Sequence, residues 1–232
     1  MLGMILSITV LPLKYRLLFL IICSFGIVLT FSRGALLCLP IVISILAAHK
    51  IIQRNQLLFV IFGLSITIFC LGVSGNFIVN YASDLGLNDN AKTRIQAFID
   101  PISNWEAGDD TSRIDIIPFA LQNFSNHPFF GNGIGFTQTW GEILPHNIYL
   151  LFMVEHGILG TLIFPTLILS IVNKSLGEVK SIGQAFAVFV LIWGIFSHNI
   201  LDERYSLVAF SLMTAMNVDS QLEYKSRMKH KV

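Results

Sequence analysis

Three groups of residues have the types and spacing that could carry chemistry. The first is Pro145-His146-Asn147, where a polar stretch gives way to an apolar run. A histidine at such a boundary, beside a helix start, meets water and lipid headgroups together. The positive end of the helix dipole favours the neutral ring, which suits it to accepting a proton; an interfacial polar cap explains the same residue without chemistry. The second is Arg33, set between two apolar arms in Ser32-Arg33-Gly34. An arginine there is costly unless it meets an anion or a cluster of carbonyls, and the alternative is a snorkelling side chain that marks a helix end. The third is Glu155-His156, which on an unbroken helix would lie about 14–15 Å below His146, close to mid-bilayer. Ionisable groups at that depth are functional candidates or polar contacts within a bundle. Nine positions at roughly 100° each put Glu155 almost opposite His146, and these residues offer no i, i+4 pair for a metal. Gly157 and Gly160 allow close helix packing.

Further candidates flank these. Ile114, Ile117, Leu121 and Phe124 recur at helical spacing, which predicts a short amphipathic helix on the outer leaflet, stopped by Asn126-His127-Pro128. Gly131-Asn132-Gly133-Ile134-Gly135 follows; its spacing and context exclude a dinucleotide loop, leaving a tight turn open to close approach by a ligand or another backbone. His198, Asn199, Asp202, Glu203 and Arg204 gather later in the chain, either lining the same outer cavity or forming a solvated loop.

The elements that must position these residues are apolar helices. Of 232 residues 54% are hydrophobic and 12% charged, with 19 phenylalanines, and the mean hydropathy is +0.71. A soluble domain carries roughly twice that charged fraction. The expected fold is an all-α polytopic membrane protein of about six transmembrane helices with one large extracytoplasmic loop carrying short helices. Residues 17–48, read as one helix, would be roughly 48 Å long and need a tilt beyond about 40°, so the run reads as a hairpin with Arg33 at its turn. Further spans are expected at 57–73, at 147–172 with a kink at Pro165, at 182–200, and at 205–219. Cys23, Cys38 and Cys70 lie inside apolar runs, with neither a disulfide pattern nor a metal spacing.

Charge orients the chain. Lys14, Arg16, Lys50, Arg54, Lys174, Lys180, Lys225, Arg227, Lys229 and Lys231 fall on one side; Arg33, Lys92, Arg94, Arg113 and Arg204 fall on the other. The positive-inside rule makes the first side cytoplasmic and the loop at 74–145 external, a loop with eight carboxylates against three basic residues. The chain thus divides into membrane helices at 1–73, the external loop at 74–145, and C-terminal helices with a basic tail at 146–232. Residues 1–12 are too short to span and lack the basic region of a signal peptide; they read as the end of a descending helix, as in the C-terminal part of a longer architecture.

The order of parts is more specific than any one of them. An outer Ser32-Arg33-Gly34-Ala35-Leu36-Leu37, a long outer loop with Arg113, His127-Pro128-Phe129-Phe130-Gly131-Asn132-Gly133, and His146-Asn147 followed by Gly157 and Gly160 together resemble the catalytic region of the O-antigen ligase and O-antigen polymerase superfamily. Residues 146–160 match its signature of His, Asn/Ser/Gln, nine residues, Gly, two residues, Gly. The resemblance covers about residues 17–200. It implies a metal-independent, inverting glycosyl transfer enzyme of the bacterial inner membrane, acting on its periplasmic face without a cofactor or a nucleic-acid partner. The donor would be an undecaprenyl-pyrophosphate-linked glycan, and the acceptor lipid A core, a second lipid-linked repeat or a protein hydroxyl. It further implies that Arg33 and Arg113 hold pyrophosphate, with Arg94 an alternative ligand, that His146 activates the acceptor, and that Asn147, Glu155, Gly157 and Gly160 support it. Full-length superfamily members usually have ten to twelve spans, so either a second membrane chain is a partner that supplies the missing helices, or the chain is a minimal or a truncated form. The rival readings are a transporter or flippase for the same lipid-linked glycan, which would place charged or broken helices at every depth, and an inactive, truncated assembly component.

Overall fold

The computed structural model describes residues 1–29, 33–48, 61, 110–140 and 145–229. Arg94, the first part of the polar loop and, apart from Ile61, the expected span at 57–73 lie outside the described residues. Among those described, every regular element is helical: α1 (Leu2–Val10), α2 (Leu13–Leu29), α3 (Arg33–Ala48), α4 (Asp110–Asn126), α5 (Ile148–Thr161), α6 (Ile163–Val172), α7 (Gly177–Phe196) and α8 (Arg204–Lys229), with 3-10 turns at Phe136–Trp140 and Asn199–Leu201. The 17–48 run is divided as expected. α2 and α3 are separate helices in contact with each other, and Arg33 is the first residue of α3.

α7 is the post of the fold. It is the one described helix that is by itself long and apolar enough to cross a membrane; α5 and α6 reach that length only jointly, across a 64° bend. Ile182, Ala185, Phe186, Phe189 and Val190 recur at helical spacing and are buried. They join one core with Met4 and Ile5 of α1, Leu39, Val42 and Leu46 of α3, Phe164 and Ile168 of α6, and Phe210 and Met213 of α8.

The 147–172 run departs from the single kinked span expected of it. Two breaks fold it back. Gly157 has φ 71° and ψ −163°, a region essentially reserved for glycine. Five residues on, the chain turns at Leu162, whose N–H donates to the Leu159 carbonyl at 3.2 Å. Pro165 accounts for that second break, because it has no N–H for the Thr161 carbonyl and its ring crowds that oxygen. As a result the ring of Tyr149, in the first turn of α5, lies 5.6 Å from the ring of Phe164, in the first turn of α6. A straight helix would hold them roughly 22 Å apart. Both rings sit at Gly194, where a Cβ would stand 2.8 Å from Phe164 and 3.1 Å from Tyr149. α5 is therefore a hairpin arm with both ends at the C-terminal end of α7, and Glu155 and His156 stand near its tip instead of halfway down a rod.

A loop replaces the hydrogen bonds that this fold-back removes. In an uninterrupted helix the Val154 and Glu155 carbonyls accept from the N–H groups of Ile158 and Leu159. Here the Ile158 N–H donates to the Pro128 carbonyl at 2.8 Å, the Asn132 N–H donates to Val154 at 2.9 Å, and the Gly133 N–H donates to Glu155 at 3.0 Å. The Asn132 side-chain amide adds bonds to the carbonyls of Val154, at 2.9 Å, and Asn123, at 3.1 Å. Gly131 (φ 72°) and Gly157 make the approach possible, since a Cβ on either would fall inside 3.0 Å of the opposing backbone. The glycine loop thus receives another backbone, and Gly157 admits a loop where helix-on-helix packing was expected. Gly160 abuts His156 and Phe152 of its own helix. α4 ends at Asn126 as expected and packs on α5, with Ile116 and Ala120 buried while Ile117 and Leu121 remain exposed.

From the hairpin, α6 returns along α7 until Val172 meets Gly183. There Asn217 of α8, itself buried, donates from Nδ2 to the carbonyls of Ile171 and Asn173 at 2.9 and 2.7 Å. These are carbonyls that a helix C-terminus leaves without partners. Two outcomes follow from this fold. Gly157→Ala should destabilise the protein by at least about 1–3 kcal/mol from torsional strain alone, with a further loss from collision with Phe129. Gly133→Ala, with φ 103° but nothing within 4 Å of its Cβ, should lose only the torsional part; equal shifts in thermal unfolding would refute the close approach. Asn217→Ala should cost about 1–3 kcal/mol for each carbonyl left unsatisfied, whereas unchanged unfolding in detergent would remove its role as the cap of α6.

Candidate functional site

At the C-terminal end of α7, the start of α5 meets the segment that follows α7, and His146 lies at that meeting. Asn147 caps α5 from an extended conformation (φ −149°, ψ 115°), and its Oδ1 accepts from the N–H groups of Tyr149 at 2.9 Å and Leu150 at 3.1 Å. Such a cap contributes about 1 kcal/mol and fixes the residue before it. Ile148 is buried, and the Tyr149 hydroxyl donates to the Leu191 carbonyl of α7 at 2.7 Å. Pro145 is buried on the other side. His146 is therefore an exposed side chain on a backbone pinned both before and after it.

The ring of His198 lies 5.2 Å from that of His146, tilted by 55°. His198 follows directly on Ser197, the C-cap of α7, and its Nδ1 is closed to solvent with no hydrogen-bond partner among the described residues. Burial holds this imidazole below the ordinary histidine range; the nearby His146 acts in the same direction and Asp202 opposes it. Of the His198–Arg204 cluster, His198 is brought to His146, whereas Asn199, Asp202 and Arg204 are exposed. Trp193 stacks between Phe189 and Tyr205, at 5.7 and 6.0 Å, and joins α7 to the first turn of α8 at this end.

Glu155 has a different environment. Its carboxylate is buried, and one oxygen accepts both the Thr137 hydroxyl at 2.5 Å and the Thr137 N–H at 3.2 Å. Trp140, in the same short turn, meets Phe119 of α4 edge-on at 4.7 Å. Glu155 thus ties the turn at Phe136–Trp140 to α5, and Trp140 ties it to α4. His156 lies against Phe152 with ring centroids 5.5 Å apart. Arg33 stands at the start of α3 and Arg113 in the first turn of α4. Among the described residues no three His, Cys, Asp or Glu groups come together as a metal site.

Sequence reasoning missed Thr137, Tyr149 and Asn132 as positioning residues, and it left His198 unassigned. Asn132 alone had a local signal, an amide flanked by two glycines where a tight turn was expected. The contacts of Thr137 with Glu155 and of Tyr149 with Leu191 join residues 18 and 42 positions apart, which no local pattern announces.

A search of curated proteins and of solved structures found no match. The O-antigen ligase family matches residues 18–164, more than half of the chain, from α2 through the fold-back into the first turn of α6. The matched stretch contains Arg33, the loop that closes on Gly157, and His146 with its cap. The chain belongs to the O-antigen ligase family.

Proposed function

We propose that this protein transfers a glycan from an undecaprenyl-pyrophosphate donor to an acceptor hydroxyl at the periplasmic face of the bacterial inner membrane. The observation that carries the reading is the exposed, backbone-pinned His146 beside His198 in a chain of this family. The membrane placement is supported by α7, by the sorting of basic residues, and by apolar side chains turned outward on α2 (Leu18, Ile22, Phe25) and α8 (Leu207, Val208, Leu212). Outward surface of this kind suits contact with lipid. In this reading 1–73 and 146–232 supply the membrane helices and 74–145 the outer loop.

The reaction is a single displacement. The acceptor oxygen bonds to the anomeric carbon as the carbon–oxygen bond to pyrophosphate breaks, and the anomeric configuration inverts. The acceptor proton passes to the neutral imidazole of His146, and the bond electrons leave with pyrophosphate. Arg33 and Arg113, with Arg94 as a further candidate, neutralise that developing charge through paired, directional hydrogen bonds. The step needs no metal. A lipid A core sugar, a second lipid-linked repeat and a protein side chain all offer the required hydroxyl. Glu155 positions the outer turn and takes no proton.

Reconstituted enzyme and lipid-linked glycan test these roles. His146→Ala should lower transfer by about 10²- to 10⁴-fold while unfolding and donor binding stay near those of the parent; retention of more than about a tenth of the rate would contradict a general base. Arg33→Lys should lose most activity despite keeping its charge, because lysine lacks the planar fork, and near-parental turnover would reduce Arg33 to a helix-end anchor. Glu155→Gln retains the acceptor oxygen for Thr137 and should stay within a few-fold of the parent. A loss comparable to that of His146→Ala would give Glu155 a part in proton transfer after all.

A further inference from the structure

The loop that locks the fold-back also carries the three most exposed large apolar side chains among the described residues: Phe129 at 69%, Phe130 at 83% and Ile134 at 88%. Residues 127–140 contain no Asp, Glu, Lys or Arg. The display is held rigidly. Gly131, Gly133 and Gly135 take φ of 72°, 103° and 77°, and Pro128, Asn132 and Gly133 are fixed to α5 by backbone hydrogen bonds. Three large apolar groups held outward on a fixed backbone are unfavourable in water and mark a contact surface.

The neighbouring surface says what that contact is. Pro128 and Phe129 lie directly on Gly157 and Ile158. From there exposed apolar side chains continue through Ile158, Leu159 and Leu162 into α6, and residues 157–172 hold no charged side chain. α6 runs alongside α7, so the loop is continuous with the surface that faces lipid in the membrane placement given above. On its other border exposed Asn126, His127, Gln138 and Thr139 are polar, so the apolar side chains lie between a polar edge and further apolar surface, the arrangement of an element at a lipid–water boundary. We propose that the Phe129–Ile134 loop is a lipid anchor, with Phe129, Phe130 and Ile134 entering the acyl region of the outer leaflet. The backbone bonds to α5 then transmit that anchoring to the arm that begins at His146, and so fix the height of the site above the bilayer. The proposal rests on the membrane placement and is independent of the reaction.

The test uses the full chain in phosphatidylcholine vesicles. Phe130→Trp is read as the added fluorescence over the three native tryptophans, with acyl-chain-brominated phosphatidylcholine as the lipid probe and iodide on both sides of the vesicle as the aqueous probe. Leu212→Trp, on the outward side of α8, and Tyr224→Trp, in its basic C-terminal extension, serve as references. The added signal at 130 should fall by about twofold or more with brominated lipid and be little affected by iodide, as at 212, while 224 should show the reverse. Iodide quenching at 130 without lipid quenching overturns the anchor. Protection from both probes also overturns it, since the loop is then covered by protein, whether a second copy or another chain. Lipid quenching at 212 with none at 130 sinks the loop alone, whereas silence at both sinks the membrane placement and the anchor with it.

Discussion

The fold-back of α5 depends on one exchange of backbone hydrogen bonds. A helix that breaks inside an apolar protein strands N–H groups and carbonyls that must find partners, and each one left buried costs about 1–3 kcal/mol. Pro128, Asn132 and Gly133 supply those partners. The exchange needs contact between two main chains, which explains why glycine stands at both 131 and 157. Neither partner is stable in this form alone: without the loop the Gly157 break is unsatisfied, and without the break the loop has nothing to pair with.

The consequence for the site is a matter of place. Because the arm returns on itself, the first turns of α5 and α6 share the space at Gly194. That crowding holds Tyr149 against Leu191, sets the Asn147 cap, and leaves His146 beside the turn that follows α7. α7 therefore acts twice. Its middle organises the core, and its last turns hold Tyr149 and Phe164 and lead directly to His198, beside His146.

Features governed by neighbouring residues were readable from the sequence. The break before Arg33 followed from length against bilayer thickness, the end of α4 from Asn126-His127-Pro128, and the second break in the 147–172 run from Pro165. The fold-back was not readable, because an apolar run reports composition and not direction; residues 148–172 are equally apolar whether they cross a bilayer or double back. Gly157 and Gly160 have the spacing of a helix-packing motif, and nothing local reveals that Gly157 adopts φ 71°. Asn217 and Thr137 were invisible for a further reason. Each satisfies groups on another element, so its task exists only once the chain has folded.

The fold-back also resolves a difficulty raised by the sequence. Were 147–172 a continuous span, Glu155 would stand near the bilayer centre, where an ionised carboxylate is expensive without a partner. No basic residue lies between His156 and Asn173 to supply one on the same helix. Near the tip of a fold-back, the carboxylate instead meets the hydroxyl and N–H of Thr137 in the turn at Phe136–Trp140. A long apolar run that contains a carboxylate and two glycines can therefore encode a re-entrant arm, with the carboxylate joining the arm to the loop that encloses it. For the transfer proposed above, between a lipid-linked donor and a polar acceptor, this arrangement would have an advantage over a rod: it would hold His146 where the two substrates meet, on a backbone anchored from both sides.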